Sequence, residues 1–217
     1  MFLSPLLFLA LLSSSPDPIL ERMRIAQADL ETLQARIEQV KTYPQLGIDD
    51  PVEKGFLYFQ PGKMRLEIQE PEIRILVVKD GKYVLYQPRI KQAIFGKLEG
   101  QGAKGHFTGL LTGSAESFRE LEESYSVSNL GEETIDGRSV HHLAFHAKPG
   151  VPVYCREIEL FIDTALFLPV RQKCLETNQS EIIMTLADIE RNSPLEKGLF
   201  EVEIPDGVER IEQGRDE

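Results

Sequence analysis

Residues 55–86 read GFLYFQPGKMRLEIQEPEIRILVVKDGKYVLY, and this stretch decides the fold. Phe56-Leu57-Tyr58-Phe59 runs into Pro61-Gly62, a turn pair. Met64, Leu66 and Ile68 then alternate with Arg65, Glu67 and Gln69, which is a strand with one apolar face. Ile75 to Val78 ends at Asp80-Gly81, a tight-hairpin dipeptide, and Tyr83 to Tyr86 follows. Strands joined by such short turns must pair antiparallel, because parallel neighbours need long crossovers. Ile75-Leu-Val-Val78 and Tyr83-Val-Leu-Tyr86 are apolar on both alternations. Such a sheet needs cover on each side: a helix on one, and a lid or an apolar ligand on the other. The alternative is a plain core.

The pattern continues downstream. Asp136-Gly137 joins Glu133–Ile135 to Val140–Ala147. Val153–Ile162 and Val170–Thr177 flank Leu168-Pro169, and Ile182 to Ile189 alternates loosely. Cys155 and Cys174 are the two cysteines. With the turn centred near residues 164 and 165 they fall opposite each other, within disulfide reach. A one-residue slip of register would separate them.

Upstream, Asp17-Pro18 is a good helix start, and Ile19, Leu20, Met23, Ala26, Leu30 and Leu33 recur at helical spacing. Leu33 to Val40 fits either a continuing helix or a strand. Before it, Leu6 to Leu12 is an unbroken apolar run followed by Ser13, Ser14 and Ser15. This reads as a secretory signal over residues 1–15, with one domain over 16–217. Between the two strand-rich halves, glycines from Gly96 to Gly113 lead into a helical stretch from Ser114 to Tyr125. Ser114 is one candidate cap, and Ser117-x-x-Glu120 is a second candidate capping box. Phe107, Leu110, Leu111 and Phe118 are the apolar residues of this segment that a movable lid would use; an ordinary connection is the alternative.

Composition narrows the function. The formal net charge is -11 and no run of five basic residues exists, so nucleic acid is not an expected partner. Gly100-Gln-Gly102-Ala-Lys-Gly105 matches a dinucleotide fingerprint, but it lacks the parallel strand–turn–helix setting that binds a pyrophosphate. His141 and His142 point to opposite sides of a strand, and His142 and His146 stand roughly 13 Å apart at about 3.3 Å per residue. One metal ion cannot join them. Neither a nucleophile elbow nor an HExxH motif is present, so the chain reads as a binder without cofactor, metal or catalytic residues.

The order of these pieces resembles the outer-membrane lipoprotein carrier (LolA-like) family. The resemblance rests on the Gly55–Pro71 signature, Ile75-Leu-Val-Val-Lys-Asp-Gly-Lys82, Tyr86-Gln-Pro88 and Gln92. Asp136-Gly-Arg138, Leu168-Pro169, Leu199-Phe200 and Ile204-Pro205-Asp-Gly-Val208 extend it over about residues 18–210. It implies a mainly β, α+β fold: an incomplete antiparallel barrel or strongly curved sheet, covered by the N-terminal helix and a short helical lid. Leu33 to Lys41 would be its first strand. The family fold holds a hydrophobic cavity for acyl chains. The expected wall is Leu66, Ile68, Ile75, Val77, Val84 and Tyr86. Ile75 and Val77 are chosen over Leu76 and Val78, although both alternations are apolar.

The resemblance also implies a periplasmic, monomeric carrier of acylated lipoprotein or another lipid. It would receive cargo from an inner-membrane donor and pass it to an outer-membrane acceptor. A sensing or interaction module on the same fold is the alternative. Two positions depart from the family. Gln60 stands where an arginine often locks the lid, and Met64 stands where an exposed aromatic used for docking is common.

Overall fold

The computed structural model describes residues 17–97 and 115–213. The expected signal over 1–15 and the residues Phe107, Leu110 and Leu111 therefore lie outside the described part. So do the Gly100–Gly105 fingerprint and Ser114.

Asp17 caps the first helix, α1 (Pro18–Ala28), by accepting a 2.8 Å hydrogen bond from the Ile19 amide on Oδ1. The ambiguous stretch after it is a strand, β1 (Leu33–Tyr43). Its partners explain why: Leu33, Ala35 and Ile37 bury one face of a central strand, and such packing overrides helical propensity.

Next come β2 (Ile48–Asp49), β3 (Glu53–Gln60), β4 (Lys63–Glu70), β5 (Arg74–Lys79), β6 (Lys82–Gln87) and β7 (Gln92–Lys97). Helix α2 (Ala115–Ser124) precedes β8 (Tyr125–Ile135), β9 (Arg138–Ala147), β10 (Cys155–Asp163), β11 (Pro169–Glu176) and β12 (Glu181–Arg191). The last strand is β13 (Glu209–Glu212). Ser117 and Glu120 fall within α2 rather than before it.

The strands form one open, curved, mainly antiparallel sheet that does not close into a barrel. The order is β13-β7-β6-β5-β4-β3-β1-β12-β11-β10-β9-β8, with β2 on β1. The β5–β6 turn has Asp80 at φ 51° and Gly81 at φ 74°, the two positive angles a two-residue hairpin demands. Gly55 is required by close approach instead. A Cβ there would lie 1.9 Å from the Glu67 carbonyl oxygen, at the β3–β4 bulge.

Two buried clusters lie on one side of the sheet. The first packs Leu20 and Met23 of α1 and Phe118 and Leu121 of α2 on Leu143, Phe145, Ile158, Leu160 and Cys174. The second gathers Leu33, Ile37, Leu57, Phe59, Met64, Ile68, Met184 and Leu186. Register places both on the same side: Leu160 of the first and Met184 of the second are both opposite Gln172. We call this the helix side.

The reverse side differs between the two halves. Over β8–β12 it combines a small buried apolar cluster of Val140, Phe161 and Val170 with a charged network. Glu159, Lys173 and Glu181 form ion pairs there, and His142 sits between Glu133 at 2.7 Å and Glu159 at 2.9 Å. Lys173 is held above the usual lysine range: burial pulls it down, but Glu159 and Glu181 outweigh that. Over β3–β7 the reverse side carries Tyr58, Val77, Val84 and Phe95. The chain crosses this region between β12, which pairs with β1, and β13, which pairs parallel to β7. The Arg65 Nη1 donates to the carbonyls of Leu199 at 3.1 Å and Glu201 at 3.3 Å, so residues 192–208 form a strap over that side. Leu199-Phe200, part of the family resemblance alone, lies in this strap, which the sequence reading did not foresee.

Candidate functional site: the apolar wall of β3 to β6

Antiparallel partners point the same way. Leu66 is opposite Leu57 on β3 and Leu76 on β5, and Leu76 is opposite Leu85 on β6. Met64 is likewise opposite Phe59 and Val78. These residues form a continuous aliphatic wall on the helix side. Leu57, Met64 and Ile68 are buried within it, while Leu66, Leu76, Val78 and Leu85 keep intermediate exposure. Among the described residues, neither α1 nor α2 belongs to the cluster at this wall; the nearest contribution is Leu30, just past α1.

The expected wall residues therefore split. Leu66 and Ile68 face the helix side. Val77 is opposite Arg65 and Val84, and Ile75 is opposite Glu67 and Tyr86, so all four of Ile75, Val77, Val84 and Tyr86 face the strap side. The correction has a simple cause. Side chains alternate with a period of two, and the choice between two apolar alternations was decided by which residue stands opposite Leu66. On the side of Leu66, β5 and β6 present Leu76, Val78 and Leu85 instead.

Phe118 is buried on the helix side, but over β9–β11 rather than over this wall. Gln60 ends the β3–β4 hairpin opposite Lys63, on the alternation of Tyr58 and Arg65, and its side chain makes no hydrogen bond to a described residue. Met64 is buried in the wall and is not an exposed docking residue.

The wall has a polar margin. Gln39 is opposite Glu53, and its Nε2 donates to Glu53 Oε2 at 3.2 Å; Glu53 also accepts from Arg74. Nearby, Lys41 Nζ lies 2.6 Å from Glu176, whose carboxylate also accepts from Ser180 and Tyr154. Burial raises the affinity of Glu176 for a proton, but the hydrogen bonds from Lys41 and Ser180 outweigh it and hold its carboxyl below the usual range. At the same end of the sheet, Ile48 of β2 and Leu46, Val52 and Ile73 on the loops around it and between β4 and β5 stand exposed.

Cys155 and Cys174 are joined, with their Cα atoms 5.4 Å apart. They are not directly opposite. The turn sits later than expected, so Cys155 is opposite Glu176 and Cys174 opposite Ile158, and an irregularity at Arg156 brings the thiols together diagonally. Tyr125 donates to the Cys155 carbonyl at 2.7 Å, and burial pushes its hydroxyl up to about 12. Among the described residues, no group of three potential metal ligands converges, and no helix is long and apolar enough to cross a membrane.

Neither a family model nor a curated protein sequence matches this chain. Solved structures do. An uncharacterized conserved protein from Thermus thermophilus aligns over 90% of this chain and 97% of its own, at 13% identity and a TM-score of 0.60. MucB aligns over 85% of this chain at 14% identity, with a TM-score of 0.55, and the chain spans 62% of MucB. MucB in the Pseudomonas aeruginosa MucA/MucB complex gives a TM-score of 0.52 over 85% of this chain and 60% of its own, at 14% identity. A LolA superfamily protein from Nitrosomonas europaea aligns over 84% of this chain and 95% of its own, at 13% identity and a TM-score of 0.41. At such low identity, the likeness to the Thermus protein and to MucB is one of fold alone.

Proposed function

We propose that this chain binds the acyl chains of a lipoprotein, or of a related lipid, against the helix-side wall of β3 to β6. We further propose that it is exported to the periplasm through its N-terminal apolar segment and ferries that cargo from an inner-membrane donor to an outer-membrane acceptor. The observation that supports this is the wall itself. Leu66, Leu76, Val78 and Leu85 form a partly buried aliphatic surface on a side of the sheet that elsewhere is covered by two helices. At ~0.8 kcal/mol per CH₂ removed from water, one acyl chain laid there gains on the order of 10 kcal/mol. The reading is of a binder, not an enzyme.

Native mass spectrometry of protein purified from periplasm tests it. The expected result is a co-purifying lipid or acylated protein that a Leu76→Glu variant loses. A wild-type protein that is always bare, and that takes up no fatty acyl probe, overturns the reading.

A second reading is an interaction module that senses lipid or protein without moving cargo. The exposed Leu46, Ile48, Val52 and Ile73 favour a partner at that end of the sheet, and MucB, which shares the fold, is known in complex with MucA. A Leu46→Glu, Ile48→Glu double variant separates the two. A transporter keeps its affinity for free lipid and loses hand-over between membranes. A sensing module loses a protein partner in pull-down and transfers no lipid in either form.

A further inference from the structure

Gln172 is 1% exposed, and neither its Oε1 nor its Nε2 has a hydrogen-bond partner among the described residues. A buried amide in apolar surroundings burdens the fold unless something answers it. Arg191 also has an unanswered buried atom, Nε, but its Nη2 donates to the Ala26 carbonyl at 3.2 Å and so serves the end of α1. The Gln172 amide has no such second contact.

Its position is specific. On β11 it stands between Leu160 of β10 and Met184 of β12, on the helix side. Leu160 belongs to the cluster beneath the helices and Met184 to the cluster of the wall. The amide thus occupies the seam between them. The same row continues through Met184 to Gln39 and Glu53, at the polar margin.

We propose that Gln172 recognises the polar end of the bound amphiphile, and that the preferred ligand is an acyl chain ending in a primary carboxamide. This rests on the acyl-chain reading above. A primary amide presents a donor and an acceptor side by side, and a carboxamide returns both. An ester carbonyl answers only the donor, and a hydrocarbon answers neither. A site with a buried polar group discriminates strongly against ligands that leave it unpaired. Gln172 therefore converts a non-selective greasy surface into one that reads the junction between chain and head.

The test titrates the full chain with dodecanamide, methyl dodecanoate and dodecane, each displacing the apolar dye N-phenyl-1-naphthylamine, in wild type and in Gln172→Leu. Wild type is expected to bind dodecanamide about tenfold more tightly than dodecane, with the ester between. In Gln172→Leu the three affinities converge, and the ligand-free protein melts at a higher temperature because an unanswered amide is gone. Gln172→Met, unbranched and of similar length, is read the same way and replaces the leucine variant if that does not fold. Equal wild-type affinity for all three ligands overturns this proposal and leaves the acyl-chain reading standing. A variant that keeps the amide preference does the same. A wild type that takes up none of the three overturns both.

Discussion

Leu66 on β4 and Leu76 on β5 stand directly opposite each other, so both point to the helix side while Val77 points to the strap. The wall can therefore be tested one side at a time. Leu76→Glu places a carboxylate where chains are proposed to lie, and uptake of an apolar dye should fall at least about tenfold. Ile75→Glu, one residue earlier on the other side, should leave uptake unchanged. Dye titration of both folded variants checks this. Equal losses would mean that the two sides of β5 are not functionally distinct.

Arg65 pins the strap. Its guanidinium also holds Glu67 at 2.7 Å; burial of Glu67 raises its proton affinity, but the Arg65 hydrogen bonds prevail and keep its carboxyl below the usual range. Arg65→Ala should cost about 1–3 kcal/mol and make residues 192–208 the first site of proteolysis. Limited digestion followed by mass mapping reads this directly. A strap that resists cleavage in the variant would place its anchorage elsewhere.

Lys41 and Glu176 link stability to pH. The folded-state pKa of Glu176 lies below its ordinary value, so the stabilisation is full above that value and is lost as the pH falls through the folded one. Followed from pH 7 to about pH 3, Glu176→Gln should flatten the acid limb of the stability profile, which falls below the ordinary value of 4.5. Lys41→Met, which leaves a buried carboxylate without its cation, should cost about 2–3 kcal/mol at pH 7. Urea midpoints across this pH range measure both. An unchanged acid limb in Glu176→Gln would assign it to other carboxylates.

The Cys155–Cys174 bond closes the β10–β11 hairpin across a separation of 19 residues. Reduction, or a Cys155→Ala, Cys174→Ala double variant, should lower stability by about 3 kcal/mol, since a loop of that size loses closure entropy when unfolded. Denaturation with and without reductant is the measurement. Two reactive thiols in the unreduced, denatured protein would show that the bond does not form.

What the sequence determined by itself was local. Asp17-Pro18 starts α1, Asp80-Gly81 and Asp136-Gly137 close hairpins, and Met64-x-Leu66-x-Ile68 fixes which side of β4 is apolar. Each of these is set within a few residues, by backbone angles or by alternation of polarity. The tertiary structure decided everything that depends on a distant partner. Leu33–Tyr43 became a strand because β3 and β12 flank it. Ile75 and Val77 went to the strap side because β5 is apolar on both alternations, and only its register against β4 breaks that tie. The cysteines met diagonally because the hairpin turn lies later than the sequence suggested, and an irregularity absorbs the difference. Gln172 gave no sequence signal at all. A glutamine on a strand reads as surface, and its burial follows from Leu160 and Met184, which lie 12 residues away on either side and are brought beside it by pairing.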